Sequence, residues 1–255
     1  MNKFEKKIRH KTGKAIFDFN LISEGDRILV GLSGGKDSWV LLDILLGLRK
    51  SAPINFNIFA VKINSNLKSN NDEEIREKCS EMGVELKIIN SPIDKIILEK
   101  KSQNDSYCAF CARLRRGFIY GYADEINANV IALGHHRDDA NETLLMNLFF
   151  GGKIQSLPPK YVTDDGQRSI IRPLIYVAED EIIEYAKFKD FPILANSCVY
   201  ASQNERAKIK KYIDELSHDI PQLKNSLLAA QSNINLSHLS DGNLFDFKKI
   251  KGVLC

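Results

Sequence analysis

Short apolar runs alternate with amphipathic segments between residues 26 and 150 of the chain. The runs have the length of buried strands, and the segments between them repeat apolar residues at helical spacing. The predicted strands are 26–32, 56–63, 84–89 and 130–134, and the predicted helices are 38–49, 71–82, 113–126 and 138–149. Strands that alternate with helices predict βαβ units, so we expect an α/β fold with a parallel, Rossmann-like sheet covered on both faces.

The pattern changes after Gly152. Residues 156–167 predict a loop or hairpin, residues 170–177 an extended segment in which Pro173 limits pairing, and residues 179–189 a helix. From residue 201 the chain is polar and helical, with a new helix starting at Pro221. We therefore predict three parts: a basic N-terminal helical arm at 1–25, an α/β catalytic domain at 26–200 and a helical C-terminal extension at 201–255.

Composition and charge narrow the class of protein. Of the 255 residues, 44% are hydrophobic, which suffices for a core, and the net charge of +3 gives weak support for a polyanionic partner. The N-terminal residues 2–14 carry six lysines and arginines, which fit either a solvated helix face or an arm that contacts phosphates. No apolar run approaches the roughly 20 residues of a membrane span, and no signal-peptide pattern is present. We expect a cytoplasmic protein that keeps its thiols reduced and does not bind a membrane.

The stretch SGGKDS, residues 33–38, stands between the first predicted strand and helix. Gly34 and Gly35 let the backbone approach a ligand, and consecutive N–H groups at a helix N-terminus bind phosphate. The spacing is not that of a Walker A loop. Asp37 within such a loop indicates a metal ion that bridges a carboxylate and phosphates. The alternative is a glycine-rich turn with an N-capping serine.

SGGKDS at a strand end resembles the PP-loop of the N-type ATP pyrophosphatases, which cleave ATP between the α- and β-phosphates and adenylate a substrate oxygen. The resemblance implies that the pyrophosphate is held by Ser33, Gly34, Gly35 and Ser38. It also implies that Lys36 neutralises the charge that develops as pyrophosphate leaves, and that Asp37 helps to place Mg²⁺. Adenine would lie along the second strand, at Ala60 and Lys62, where backbone groups read its edge.

A second polar segment, GHHRDDANET, begins at Gly134. Taken alone, Asp138 and Asp139 match the positive end of the helix that they open, and the two preceding histidines are ordinary strand-end residues. The PP-loop resemblance implies that this segment faces the nucleotide. Asp139 is then the candidate for the second Mg²⁺ carboxylate, with Asp138 as the alternative, and Gly134 leaves room for ribose or adenine.

The cysteines suggest a cofactor. Their odd number argues against a disulfide scaffold; they are Cys79, Cys108, Cys111, Cys198 and Cys255. Cys108 and Cys111 lie three residues apart at a helix start, so both sulfurs lie on one side. With Cys198 they fit a [4Fe–4S] cluster that has one open iron. A zinc site completed by His135 or His136, and a redox dithiol, are the alternatives.

Five segments resemble the bacterial tRNA 2-thiocytidine synthetase family: CAFCARLRRG, ALGHHRDD, FFGGKIQSLPPK, IRPL and SHLSDGNLFDFK. The resemblance runs from about residue 26 to residue 247. It implies that Cys108, Cys111 and Cys198 hold an iron–sulfur cluster. The implied enzyme uses ATP to adenylate C2 of an anticodon-loop cytidine, at position 32, and replaces its oxygen with sulfur, forming AMP and pyrophosphate.

The same resemblance implies tRNA as a partner, a sulfur donor that is a cysteine desulfurase or sulfide, and a possible homodimer. Around Cys198 the chain departs from the family pattern, in which a further cysteine and a glycine stand nearby. Two alternatives stay open at this point. One is another PP-loop tRNA-modifying enzyme, such as a 2-thiouridine synthetase with a zinc or redox cysteine site; the other is a nucleotide-regulated iron–sulfur redox protein.

Overall fold

The computed structural model describes residues 3–64, 72–100, 107–194 and 205–249. The helices in this part are α1 (Lys3–Asp18), α2 (Lys36–Arg49), α3 (Asp72–Glu81), α4 (Ile93–Lys100), α5 (Tyr107–Glu125), α6 (Arg137–Gly151), α7 (Glu179–Lys189), α8 (Glu205–Asp219) and α9 (Leu223–Ala230). The strands are β1 (Arg27–Gly31), β2 (Asn57–Asn64), β3 (Leu86–Asn90), β4 (Val130–Ala132), β5 (Lys160–Val162) and β6 (Ser169–Ile171). Two 3₁₀ turns follow, at Leu236–His238 and Phe247–Lys249.

The six strands form one sheet in the order β3-β2-β1-β4-β6-β5. All pairs are parallel except β5 with β6, which form an antiparallel hairpin at the edge. After β1 the chain moves to one side of the sheet, and with β4 it continues on the other side, so the β1/β4 junction is a topological switch point. Ligands of open α/β sheets bind at the carboxyl ends of the strands beside such a point. The predicted α/β fold is confirmed.

The sequence of β1 explains why hydrophobic clusters lie on both faces of the sheet. In β1, Ile28 and Val30 face the larger core, which α1, α2, α3 and α7 complete. Leu29 faces the opposite side and packs in a second cluster with Tyr122 and Ala123 of α5. Because the strand is buried on both faces, its sequence is a continuous apolar run and does not alternate with polar residues.

The basic N-terminal segment is a helix docked on the core. Ile8, Thr12 and Ala15 of α1 are buried, and two of its lysines, Lys7 and Lys11, form ion pairs with Glu181 of α7. At the other end of the chain, α8 and α9 pack against α6. The boundaries at residues 25 and 200 stay predictions.

Several element limits differ from the sequence-based prediction. Helix α4 was not predicted, because its eight residues are separated from β3 by only Ser91 and Pro92 and give too short a periodic segment. Helix α5 begins at Tyr107, six residues before the predicted start, so both residues of the CxxC pair belong to it. The extended segment pairs only over Ser169–Ile171, because the chain turns at Pro173. Within the described ranges no helix is long and apolar enough to cross a membrane.

Candidate nucleotide and metal site

The glycine-rich loop leaves β1 and enters α2 at the switch point. Ser33 Oγ accepts the Gly35 N–H at 3.2 Å, and Ser38 Oγ donates to the Gly35 carbonyl at 2.9 Å. Gly34 has a φ of +84°, and a Cβ at this position would lie 2.6 Å from Leu194 Cδ1. The loop therefore favours glycine at residue 34 because of its positive φ, and any other residue would also displace the Leu194 side chain.

Two carboxylates hold the ammonium group of Lys36. Its Nζ lies 3.0 Å from Asp37 Oδ1 and 3.2 Å from Glu179 Oε1 at the start of α7. Burial alone would lower the pKa of Lys36, but the charges of Asp37 and Glu179 raise it above its ordinary value. Lys36 is thus a fixed positive charge at the N-terminus of α2, the position expected for a phosphate-binding lysine.

The β4–α6 loop lies directly against the glycine-rich loop. A Cβ on Gly134 would meet the Asp37 carbonyl carbon and oxygen at 3.0 Å and the Ser38 nitrogen at 3.1 Å. These are backbone atoms in the first turn of α2, which would have to shift to admit a side chain. The absence of a side chain at Gly134 therefore favours the close contact between the two loops. Room for ribose or adenine beside it stays a prediction.

His136 connects the two candidate metal carboxylates. Its Nε2 lies 3.6 Å from Asp37 Oδ1 and 3.4 Å from Asp139 Oδ2. Within the described residues, no three His, Cys, Asp or Glu side chains form a group that could hold a metal alone. Mg²⁺ is commonly held by one or two carboxylates together with substrate phosphates and water. Two carboxylates beside the glycine-rich loop match the protein part of that donor set.

The structure distinguishes the two adjacent aspartates. Asp138 is buried; its Oδ2 accepts the Glu179 N–H at 2.9 Å, and its Oδ1 lies 3.2 Å from Arg137 Nη2 and 3.6 Å from Lys224 Nζ. Burial would raise the pKa of Asp138, but Arg137 and the Glu179 amide lower it. Asp139 is more exposed, and its Oδ2 also accepts the backbone N–H of His136 at 2.9 Å. Asp138 is committed to holding α7 and α9, which favours Asp139 for the metal.

Helix α8 adds cations that the sequence did not point to. Arg206 Nη1 lies 3.4 Å from Asp139 Oδ1 and 3.5 Å from Glu142 Oε2. Lys210 Nζ lies 2.5 Å from the second carboxylate oxygen of Glu179. Burial and the nearby charge of Asp139 raise the pKa of Glu142 to about 7. In the sequence, only the basic character of α8 hints that Arg206 and Lys210 contact acidic residues of the site. The same pattern equally fits a solvent-exposed helix face.

The predicted adenine-binding residues lie on β2. Ala60 is fully buried in mid-strand, and its N–H bonds to the Glu85 carbonyl at 2.9 Å. Its N–H is thus used within the protein, so an adenine edge would have to be read by other backbone groups. The Lys62 side chain is buried and bonds to Asn64 and, at 2.7 Å, to Asp72 Oδ1. It links the end of β2 to the start of α3.

Of the three predicted cluster ligands, the structure describes one side chain. Cys111 is half-buried in the second turn of α5, and Cys108 precedes it by three residues on the same helix. Positions three apart lie on one helix face. The Cys108 side chain and all of Cys198 lie outside the described residues. Before Cys198, the described residues end at Leu194, whose N–H donates to the Gly34 carbonyl of the glycine-rich loop at 3.0 Å. They resume at Glu205.

The fold and its loop pair are those of a PP-loop protein, and residues 2–216 match the PP-loop domain family. Two curated relatives match almost the whole chain. The tRNA-cytidine(32) 2-sulfurtransferase of Mannheimia succiniciproducens is 46% identical over 251 residues, covering 98% of this chain and 80% of the relative. The enzyme of the same name from Aliivibrio fischeri is 44% identical over 250 residues, covering 98% and 81%. The chain therefore belongs to the PP-loop family and, within it, to the family of these 2-sulfurtransferases.

Solved structures agree with the fold. The U34-tRNA thiolase NcsA from Methanococcus maripaludis, determined with its [4Fe–4S] cluster, has a TM-score of 0.73 and 25% identity, covering 92% of this chain and 80% of that one. The NH₃-dependent NAD synthetase from Campylobacter jejuni has a TM-score of 0.50 and 20% identity, covering 91% and 93%. The second likeness concerns the fold alone.

Proposed function

We propose that this chain is an ATP-dependent tRNA-cytidine 2-sulfurtransferase that acts on cytidine 32 of the anticodon loop. The observation that carries the proposal is the junction of two loops at the switch point. There Gly134 lies against the first turn of α2, and His136 lies between Asp37 of the SGGKDS loop and Asp139. The near-full-length similarity to enzymes of this name supports the choice of substrate.

The ATP half of the reaction follows from the site. The triphosphate would lie on the loop of residues 33–38, where Lys36 faces the charge that develops on pyrophosphate as it leaves. Asp37 and Asp139 would hold Mg²⁺ against the phosphates. The C2 oxygen of cytidine attacks the α-phosphorus, the bond to the β-phosphate oxygen breaks, and pyrophosphate leaves. The base is left with AMP on its former carbonyl oxygen.

The sulfur half follows from chemistry at C2. A carbonyl oxygen of this kind is a poor leaving group, whereas AMP is a good one. Sulfide sulfur attacks C2, the C2–O bond breaks, and AMP departs with the oxygen, which leaves 2-thiocytidine. A nucleobase in a single-stranded loop can be turned out of its stack at small cost, so it can reach both halves of the site.

Cys108, Cys111 and Cys198 are the proposed ligands of a [4Fe–4S] cluster. Two of them share one face of the first turns of α5, where the positive helix end favours thiolates. Cys198 is four residues from Leu194 in sequence, a separation that extended chain spans in at most about 14 Å. When bound, the cluster would supply an iron without a protein ligand, at which sulfur can be held. The proposal includes a cytoplasmic location, a homodimer, and sulfide or a cysteine desulfurase as the sulfur source.

The test is an anaerobic reaction of the full chain with ATP, Mg²⁺, sulfide and a tRNA transcript that carries cytidine at position 32. We expect 2-thiocytidine, AMP and pyrophosphate in equal amounts by nucleoside mass spectrometry and phosphate analysis. A transcript with uridine at position 32 is the matched control and should yield no thionucleoside. Thiolation of uridine 34, the reaction named for NcsA, or turnover of ATP without any thiolation, would contradict the proposal.

A further inference from the structure

A buried arginine contacts one of the two histidines of the β4–α6 loop. Arg172 follows β6 and is 5% exposed. Its Nε donates to His135 Nδ1 at 3.3 Å, and its Nη1 donates to the Pro158 carbonyl at 2.5 Å. The guanidinium also lies over the Tyr161 ring, 5.4 Å from the centroid, and bonds to the Tyr161 hydroxyl. These contacts engage Nε, Nη1 and the face of the guanidinium, so they restrict its position.

This contact determines where His135 carries its proton. A guanidinium has only N–H donors, so the imidazole nitrogen that faces it must accept. His135 is therefore neutral, with Nδ1 unprotonated and the proton on Nε2. An imidazolium would present a second donor to the arginine. Burial, together with the charges of Arg172 and Arg206, lowers the pKa of His135 to about 4 against the opposing effect of Asp139.

Among the described residues, no group accepts a hydrogen bond from His135 Nε2. His135 directly follows Gly134, the residue in contact with the first turn of α2. On its other side, Arg172 leads through Tyr161 to Tyr120, a residue of the cysteine helix α5 to which Tyr161 hydrogen-bonds. The free donor thus belongs to the loop that lies against the first turn of α2.

We propose that Arg172 is a positioning residue which holds His135 as a neutral Nε2–H donor, and that this N–H binds a phosphate oxygen of the nucleotide. The phosphate contact of His135 rests on the proposed function. A phosphate oxygen accepts hydrogen bonds only, so it pairs with an imidazole whose proton is fixed on the free nitrogen. If the proton moved to Nδ1, the free nitrogen would become an acceptor and would repel the phosphate.

The first test observes the tautomer directly. Long-range ¹H–¹⁵N spectra of the full chain labelled with ¹⁵N-histidine, recorded at pH 7.5, should show His135 protonated on Nε2 alone; the signal is assigned by its loss in His135→Gln. In Arg172→Met we expect a mixture of both tautomers, and in Arg172→Lys, which keeps a donor, recovery of the Nε2–H form. The matched control is Arg168→Met, since Arg168 is also buried and lies over the Tyr120 ring without contact to His135.

A native chain with His135 protonated on Nδ1 would overturn the proposal, whether or not any variant folds. An unchanged tautomer in folded Arg172→Met would also overturn it.

The second test measures ATP turnover in the same variants. The loss of one hydrogen bond to a charged phosphate oxygen corresponds to a fall of about 10- to 100-fold in the kcat of pyrophosphate release for Arg172→Met and His135→Gln. Arg172→Lys should recover most of it, and Arg168→Met should match the native chain. If kcat is unchanged while the tautomer shifts, the phosphate contact is wrong. If the tautomer behaves as expected but no 2-thiocytidine forms in the native chain, the proposed function fails on its own.

Discussion

Glu179 Oε1 lies 3.2 Å from the ammonium of Lys36, and its other carboxylate oxygen lies 2.5 Å from Lys210 Nζ. One carboxylate at the start of α7 thus links the glycine-rich loop to a helix of the C-terminal region. The same residue donates its backbone N–H to Asp138 at 2.9 Å, which fixes it against α6. Glu179 therefore orients Lys36 from a rigid position outside the loop.

Removal of the Glu179 charge should impair ATP cleavage. In Glu179→Gln we expect kcat/KM for pyrophosphate release to fall about tenfold, because a charge-assisted contact worth about 1.5 kcal/mol no longer orients Lys36. The exposed Glu184 on the same helix supplies a matched control, Glu184→Gln, which should behave as the native chain. Equal rates for the two variants would mean that Asp37 alone positions the lysine.

The two neighbouring aspartates should respond differently to the same substitution. Asp139→Asn should abolish Mg²⁺-dependent pyrophosphate release with little change in thermal unfolding. Asp138→Asn should destabilise the fold by about 1–3 kcal/mol, since it weakens buried contacts with Arg137 and Lys224. Unfolding curves measure the stability of both variants, and pyrophosphate assays measure their Mg²⁺-dependent activity. The reverse assignment would follow if Asp138→Asn kept its stability and lost the metal dependence.

Glu142 should make stability depend on pH. Its pKa of about 7 in the folded chain lies above the ordinary value of 4.5, so the folded state binds the proton more tightly than the unfolded state. The resulting stabilisation is complete below about pH 4.5 and is lost as the pH rises through 7. Glu142→Gln should therefore gain stability relative to the native chain between pH 5 and pH 8, by up to about 3 kcal/mol. Urea unfolding of both chains at pH 5 and at pH 8, without metal, tests this prediction. A stability difference between the two chains that does not change with pH would contradict it.

A methyl group at Gly134 should separate the two loops. Gly134→Ala places a Cβ 3.0 Å from the backbone of Asp37, so we expect weaker ATP binding and a loss of about 1–3 kcal/mol in stability. Gly121→Ala in α5 is the control, because a Cβ there meets nothing within 4 Å. It should be neutral or stabilise the helix by about 0.5–1 kcal/mol. Calorimetric ATP binding and unfolding distinguish the two.

Cys79 and Cys111 should differ in their ability to bind iron, because their environments differ. Cys79 is buried in the core and burial raises its pKa to about 11, so it is a poor source of thiolate. Anaerobic preparations of Cys111→Ala should lose most of their iron and visible absorbance, whereas Cys79→Ala should keep both. Iron that stays bound in Cys111→Ala would contradict the ligand assignment, and stoichiometric zinc in the native chain would favour the zinc alternative.

The parts of the site that could be predicted from sequence are those encoded locally. The SGGKDS loop and the segment after Gly134 each follow a buried strand, and the parallel order of β1 and β4 suffices to place them together. Arg206 and Lys210 were missed because nothing in the sequence of α8 tells which acidic residue, more than 20 positions away, it will meet. Asp138 and Asp139 could not be separated either, since their roles depend on the direction in which each side chain leaves the first turn of α6.

Trp39 is the single tryptophan of the chain, fully buried in α2. Its indole N–H donates to the Pro192 carbonyl at 3.1 Å, and its ring stacks on Phe191 with centroids 5.7 Å apart. The chain thus contains a built-in fluorophore, located one helical turn from Lys36 and in contact with residues 191 and 192, which precede Cys198 in sequence. Its emission can report in real time, without any label, when nucleotide or cluster loading alters that junction.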